Sequence, residues 1–373
     1  MTQPMHLPPA PHLPRFPLLL RALREPGAMG GFSERDWDLL LRQALASNLA
    51  ATLCLLADEH GMLAALPARV QRRLGWARTV WQRHLQAVDL ELGKIRHALG
   101  ETGLPLILLK GTAYAAAGLP ASAGRLFSDI DLLVPKERLP EVESALMLHG
   151  WAGSHHDDYD QRYYREWMHE LPPLQHMRRA SVIDVHHAIL PETAAVRPDP
   201  ARLRAAARAI PGRDGFYMLS PCDMVLHSAV HLFSEGEYHH GLRDLFDLHR
   251  LFCHFGADPG FWAALPGRAR ELELARPLCY ALRYCTRLLG TPVPASVMEA
   301  ARDGMPNPAL LALMDGLFLR ALQPPHPSCA DAFDPAARAA LYIRGNWLRM
   351  PPLMLSRHLF HKAFVSPKAE PAQ

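Results

Sequence analysis

Two aspartates one residue apart, Asp129 and Asp131, interrupt an apolar, strand-like run in the segment GRLFSDIDLLVP, Gly124 to Pro135. In a β-strand successive side chains point to opposite faces, so both carboxylates aim at one spot while Ile130, Leu132 and Val134 face the other way. Like charges held that close repel and raise each other's pKa unless a cation, a basic partner or water compensates them. The strand therefore demands a fold that buries its apolar face and brings a counter-charge to its acidic one.

The neighbouring sequence supplies such a fold. LPLILL, Leu104 to Leu109, is a short apolar run between Gly103 and Gly111 and reads as a buried strand, followed by an alanine-rich helical segment, KGTAYAAAGL. After DIDLLV come an amphipathic helix, KERLPEVESALMLHG, and a further short strand at WAGSH. ELPPLQHM and SVIDVHHAIL then read as two strands joined by a basic turn, close enough for a hairpin. Strands alternating with helices and ending in a hairpin predict an α/β (α+β) core built on a small mixed sheet.

Both flanks are helical. On the N-terminal side FSERDWDLLLRQALASNLAATLCLLADEHG opens at Ser33, a capping residue, with Asp36 three positions on, and a second helical pattern over about 70–100 ends at a glycine. Beyond LPETAAVRPDP the helical period returns over roughly 199–209, 221–234, 241–255, 270–289 and 307–322, then in ARAALYIRGNW. The expected organisation is a proline-rich, poorly ordered leader over 1–30, a helical region over 31–102, the α/β core over 103–192 and a second helical region over 193–373.

Bulk composition narrows the function classes. With 40 basic against 37 acidic residues the net charge is only +3, so no global field argues for nucleic acid or an anionic membrane, and any anion site must be local. Six cysteines without a CxxC pair fit reduced thiols better than a disulfide frame or a zinc ribbon. No run approaches the roughly 18 apolar residues of a transmembrane helix, and the N-terminus lacks the basic region of a signal peptide, so a cytoplasmic location is expected.

If the strands around Leu104–Leu109, Ile130–Val134 and Val182–Ala188 are neighbours, three features converge. Lys110-Gly111-Thr112 stands at a helix start, where a glycine admits close backbone approach and free N–H groups face an anion. Asp129 and Asp131 gain a third oxygen ligand in Asp184 of VIDVHH, a donor set suited to Mg²⁺ (or Mn²⁺) with phosphate oxygens. LKGT, the spacer, DIDLLV and the later Asp184 resemble the DNA polymerase β type nucleotidyltransferase superfamily; LILLKG, GR before SDIDLLV, HELPPLQH and IDVHH are similar to its poorly characterised bacterial group of nucleotidyltransferase family proteins.

That resemblance implies nucleotidyl transfer by two metal ions. Asp129, Asp131 and Asp184 would hold the ions, Gly111 and Thr112 would cradle the phosphates of an NTP co-substrate, and an acceptor hydroxyl on a small molecule, glycan precursor or peptide would attack the α-phosphate. Lys110 and Arg125 read equally as phosphate ligands or as counterions of the acidic cluster. The resemblance also favours His169 and His186 near the site, beside a purely structural reading of both.

Two other classes stay in view. CDMVLHSAVHLFSEGEYHHGLRDLFDLHRLF carries His227, His231, His239, His240, Asp244 and Asp247, a set that a helical metal-dependent hydrolase would use. The same segment reads as helices lining the nucleotide cleft, with Arg243 and Asp247 an ordinary i,i+4 pair and His231 facing the substrate. A catalytically idle nucleotide-binding or partner module would share every one of these motifs. The basic, apolar C-terminus reads as a packed helix, with a membrane surface or a protein partner as the alternative use.

Overall fold

The protein is described by a computed structural model over residues 16–153 and 167–351. Its centre is a seven-stranded mixed sheet of β1 (Leu106–Leu108), β2 (Asp129–Leu133), β3 (Trp151–Gly153), β4 (Leu174–His176), β5 (Val182–His186), β6 (Arg208–Ala209) and β7 (Phe216–Met218). The order across the sheet is β3-β4-β5-β2-β1-β7-β6. β2 thus lies between β1, to which it is antiparallel, and β5, to which it is parallel, so the three expected strands are neighbours. Ile107, Leu108, Leu132, Leu133, Ile183 and Val185 are almost wholly buried along these strands. β4 and β5 form the expected antiparallel hairpin. Its basic turn is fastened by Arg179, which ion-pairs with the buried Glu91 at 2.5 Å.

The sheet continues past residue 192. The helical pattern read over 199–209 yields a short helix, Pro200–Ala205, after which the chain turns extended as β6 and returns through β7, parallel to β1. The charged run ARLRAAARAI hides β6, which lies at the sheet edge with both residues exposed, leaving no alternating pattern to read.

Helices pack around this sheet. On the N-terminal side they are α1 (Leu18–Arg24), α2 (Glu34–Ala46), α3 (Ala50–Glu59) and α4 (Ala68–Leu99). α5 (Lys110–Ala116) and α6 (Leu139–Leu148) lie within the core, and α7 is Pro200–Ala205. There follow α8 (Pro221–Ser234), α9 (Gly241–Phe255), α10 (Pro259–Glu271), α11 (Ala275–Tyr284), α12 (Ala295–Ala300), α13 (Pro308–Ala321) and α14 (Asp334–Arg349). α2 starts on the expected capping box, Ser33 accepting from the Asp36 N–H while the Asp36 carboxylate accepts from the Ser33 N–H.

Three expectations change here. α1 lies in the segment read as a poorly ordered leader, yet it buries Leu19, Leu20, Ala22 and Leu23 in the common core; residues 1–15 lie outside the described residues. The helix read over 270–289 breaks at Leu272–Leu274, where Glu273 takes a φ of 61°, and α10 precedes it with Pro266 inside. Pro266 costs that helix a hydrogen bond, which is why the segment does not read as helical, but Phe261, Trp262 and Leu265 are buried beside it. No helix among the described residues is long and apolar enough to cross a membrane.

Candidate active site

The β2–β5 register sets the geometry. Pairing places Asp131 directly opposite Asp184 on adjacent parallel strands, and Asp129 two residues earlier shares that face. One carboxylate oxygen from each of Asp129, Asp131 and Asp184 lies within 4.8 Å of the other two. Asp131 is buried, and its Oδ1 accepts from the Lys110 ammonium and from His186 Nε2, both at 2.9 Å. Burial alone would raise the Asp131 carboxyl, but these two donors hold it well below the usual range. Asp184 goes the other way: burial, then the charges of Asp131 and Glu170, push it up to about 7. Its Oδ1 is buried with no hydrogen-bond partner among the described residues. An orphaned, charge-frustrated carboxylate oxygen beside two more carboxylates fits an oxygen-seeking divalent cation.

Lys110 is the pivot between β1 and α5. It adopts a φ of 46°, rare for a residue with a side chain, at the point where the Leu109 N–H bonds the Asp131 carbonyl at 3.0 Å. This kink brings Nζ onto the Asp131 carboxylate. Burial opposes the charge on Lys110, yet Asp131 and Glu235 keep it protonated. Its ammonium, 2.9 Å from Asp131, is a counter-charge of the kind the acidic strand face calls for.

Gly111 and Thr112 have more specific places than a phosphate cradle suggests. A Cβ on Gly111 would meet Arg125 Nε and Phe127 Cδ1, both at 2.8 Å, so the glycine admits those side chains. Thr112 is fully buried and its Oγ1 donates to the Asp129 carbonyl at 3.4 Å, so its hydroxyl is spent on the β2 backbone. Arg125 is also buried: Nη1 donates to Asp247 and, at 3.2 Å, to Asp244 Oδ1. Arg243 holds the same Asp244 oxygen through Nε at 3.0 Å and Nη2 at 2.8 Å. Burial would raise the Asp244 carboxyl, but Arg243 and Arg125 hold it well below its ordinary value. Of the two readings of Arg125, the counterion role is the one its contacts show, with carboxylates on α9 rather than the sheet.

These elements enclose a cleft of about 410 Å³ lined by Lys110, Gly111, Arg125, Phe127, Asp129, Asp131 and, from α8 and α9, His231 and Arg243. That volume lies within the usual range of small-molecule sites. A larger groove of about 580 Å³ lies elsewhere, between α11, α13 and α14; its mainly apolar lining, with Glu273 as its carboxylate, lacks converging carboxylates. The cleft thus gathers Lys110, Arg125, Asp129, Asp131, His231 and Arg243. Asp184 joins Asp129 and Asp131 in the carboxylate cluster, His186 and His169 line a smaller neighbouring cavity, and Asp247 is held by Arg125.

The rival hydrolase set does not assemble. Asp244 and Asp247 are consumed by Arg125 and Arg243, and among the described residues no three ligand atoms from the His227–Asp247 group converge. Two residues had no role in the sequence reading. Glu170 Oε2 lies 3.2 Å from His186 Nδ1, and Glu235 Oε1 lies 3.4 Å from His231 Nε2. The signal for Glu170 was its place next to His169 in HELPP, which an isolated β-bridge pairs with His186.

A mixed sheet presenting two carboxylates from one strand and a third from its parallel neighbour, over a cleft with basic walls, is the core of a nucleotidyltransferase. The family model described as uncharacterised nucleotidyltransferase matches residues 33–290, and the chain belongs to that family. No curated protein and no solved structure matches the chain significantly.

Proposed function

We propose that the protein transfers a nucleoside monophosphate from an NTP to an acceptor hydroxyl, with Mg²⁺ or Mn²⁺ held by Asp129, Asp131 and Asp184. The observation that carries this reading is the Asp131–Asp184 register, which with Asp129 brings three carboxylate oxygens within 4.8 Å at the wall of a basic cleft. Bound divalent ions would supply charge neutralisation at the phosphates and a more acidic acceptor hydroxyl. The chain's own side chains do the remainder. Lys110 and Arg243 line the cleft and would supply positive charge to phosphate oxygens, the Arg243 fork itself being held on Asp244. His186 holds the Asp131 carboxylate in orientation through Nε2. Asp184, whose Oδ1 has no hydrogen-bond partner among the described residues, would accept the proton of the acceptor hydroxyl.

The test is metal-dependent stabilisation by nucleotide together with pyrophosphate release. ATP, GTP, CTP and UTP, each with Mg²⁺ or Mn²⁺, should include at least one that raises the melting temperature of the wild type and not of Asp129→Asn/Asp184→Asn. The same nucleotide should support transfer of an α-phosphate label to an acceptor supplied by the parent cell extract. Equal stabilisation of both proteins would refute the metal assignment. Stabilisation without label transfer would instead favour an idle nucleotide-binding module.

A further inference from the structure

Next to the three aspartates lies a second cluster, of which the transfer reading uses only His186, through its contact with Asp131. One donor atom from each of His169, Glu170 and His186 lies within 4.8 Å of the other two. The His169 and His186 rings are 5.3 Å apart between centroids, and His186 Nδ1 is 3.2 Å from Glu170 Oε2. Beside them is a cavity of about 10 Å³ lined by four imidazoles, those of His169, His186, His227 and His231. That is room for one water or one ion. His169 Nδ1 is buried without a hydrogen-bond partner among the described residues, a lone polar atom with nothing to bind.

We infer that His169, Glu170 and His186 form a second cation site, distinct from the three aspartates, for a divalent transition metal of the kind that prefers imidazole. Two ring nitrogens and one carboxylate suit Zn²⁺, Fe²⁺ or Co²⁺, whereas Mg²⁺ seeks oxygen alone. His186 would use Nδ1, the nitrogen facing Glu170, and the ion would replace the proton between them. Its other nitrogen, Nε2, already sits against Asp131 Oδ1 at 2.9 Å. A metal-bound histidine whose far N–H is held by a carboxylate is the usual support of such sites, with a ring orientation fixed from both ends. The surroundings favour a cation: the carboxylates of Asp131, Glu170 and Glu235 surround the position, against Lys110 and Arg349 at the cavity wall. Occupancy would fix the His186 ring and through it the Asp131 carboxylate, so His186 acts as a positioning residue between the two sites.

Chelator-stripped full-length protein titrated with Co²⁺ as the added metal tests this, read by the visible absorption of imidazole-bound Co²⁺. The wild type should give a saturable band that survives millimolar Mg²⁺ and persists in Asp129→Asn/Asp184→Asn. Glu170→Gln, nearly isosteric, and His169→Ala should each weaken Co²⁺ binding at least about tenfold, with metal-free melting temperatures checking that both fold. His239→Ala/His240→Ala should leave the band in place. The inference is overturned if the wild type shows no saturable band, or if the band is lost in the aspartate variant and kept in Glu170→Gln. Loss in His239→Ala/His240→Ala with retention in Glu170→Gln overturns it equally. Because the readout is metal binding without nucleotide, its failure is distinguishable from failure of the transfer reading.

Discussion

Removing Asp247 gives the sharpest test of how the cleft is held together. Arg125 is buried and its Nη1 has two acceptors, Asp247 and, at 3.2 Å, Asp244. Without Asp247, two guanidiniums, Arg125 and Arg243, share the Asp244 carboxylate in a buried place. Breaking a buried pair by removing one partner costs about 3–5 kcal/mol, and the surviving Asp244 contact puts Asp247→Leu at the low end, about 3 kcal/mol. At about 2 °C per kcal/mol for a large domain, the melting temperature should fall by roughly 6 °C. Arg125→Met should cost a comparable amount, because it leaves Asp247 without its guanidinium. The double variant Arg125→Met/Asp247→Leu removes both charges and should recover at least about 1.5 kcal/mol of the summed loss, a coupling of the size found for residues in contact. Thermal melts of the four proteins in one buffer measure this cycle. Costs that add to within about 0.5 kcal/mol would refute the claim that Arg125 is held as the counterion of α9.

Three further outcomes follow from the geometry. The raised Asp184 pKa, about 7, means the folded protein keeps a proton that the unfolded chain releases near pH 4. Asp184 therefore favours folding below pH 4, and that contribution is lost as pH rises through about 7; Asp184→Asn should flatten this part of the metal-free stability curve, measured by melts across pH. Asp131, held below its usual range, contributes the opposite slope, lost only as pH falls below about 4. Lys110→Met should destabilise the metal-free protein and enlarge the stabilisation that Mg²⁺ gives, since a divalent ion would replace the missing ammonium; equal Mg²⁺ stabilisation of variant and wild type in thermal shift would contradict this. Gly124→Ala should cost more than about 2 kcal/mol, because Gly124 has a φ of 79° and a Cβ there would sit 2.3 Å from the Thr52 backbone nitrogen. A denaturant melt of that variant within 1 kcal/mol of wild type would show that α3 can move away.

What the sequence revealed divides along physical lines. The three aspartates were legible because period-2 alternation carries side-chain direction, and the parallel pairing of two apolar runs then brings Asp131 and Asp184 together without any further information. Lys110 was legible as part of the site but not in its role: only the φ of 46° turns its ammonium onto Asp131. Gly111 lines the cleft as expected, but a glycine at a helix start has the same appearance whether it makes room for a phosphate or for Arg125 and Phe127, so those contacts could not be read. Arg125 and Asp247 are 122 positions apart, and no local pattern links them. β6 escaped notice because its two residues are both exposed at the sheet edge and carry no apolar pattern, and β7, its partner, is only three residues long. Glu170 was hidden by its partner, as its contact with His186 depends on a single bridge between segments.

The loop that carries Gly124 to Phe127 rests on the N-terminal helices at four points. Thr52 donates to the Ala123 carbonyl, Trp81 donates to the Ser122 carbonyl, His84 meets Phe127 edge-on at 4.4 Å, and α3 fills the space beside Gly124. These helices are therefore part of the mould in which the cleft is cast, and the family match beginning at residue 33 takes them in. Anyone grafting this chemistry onto another scaffold would have to carry α3 and α4 along with the sheet. The smallest portable unit is thus set by what supports the loop, and the strands bearing the carboxylates would not suffice.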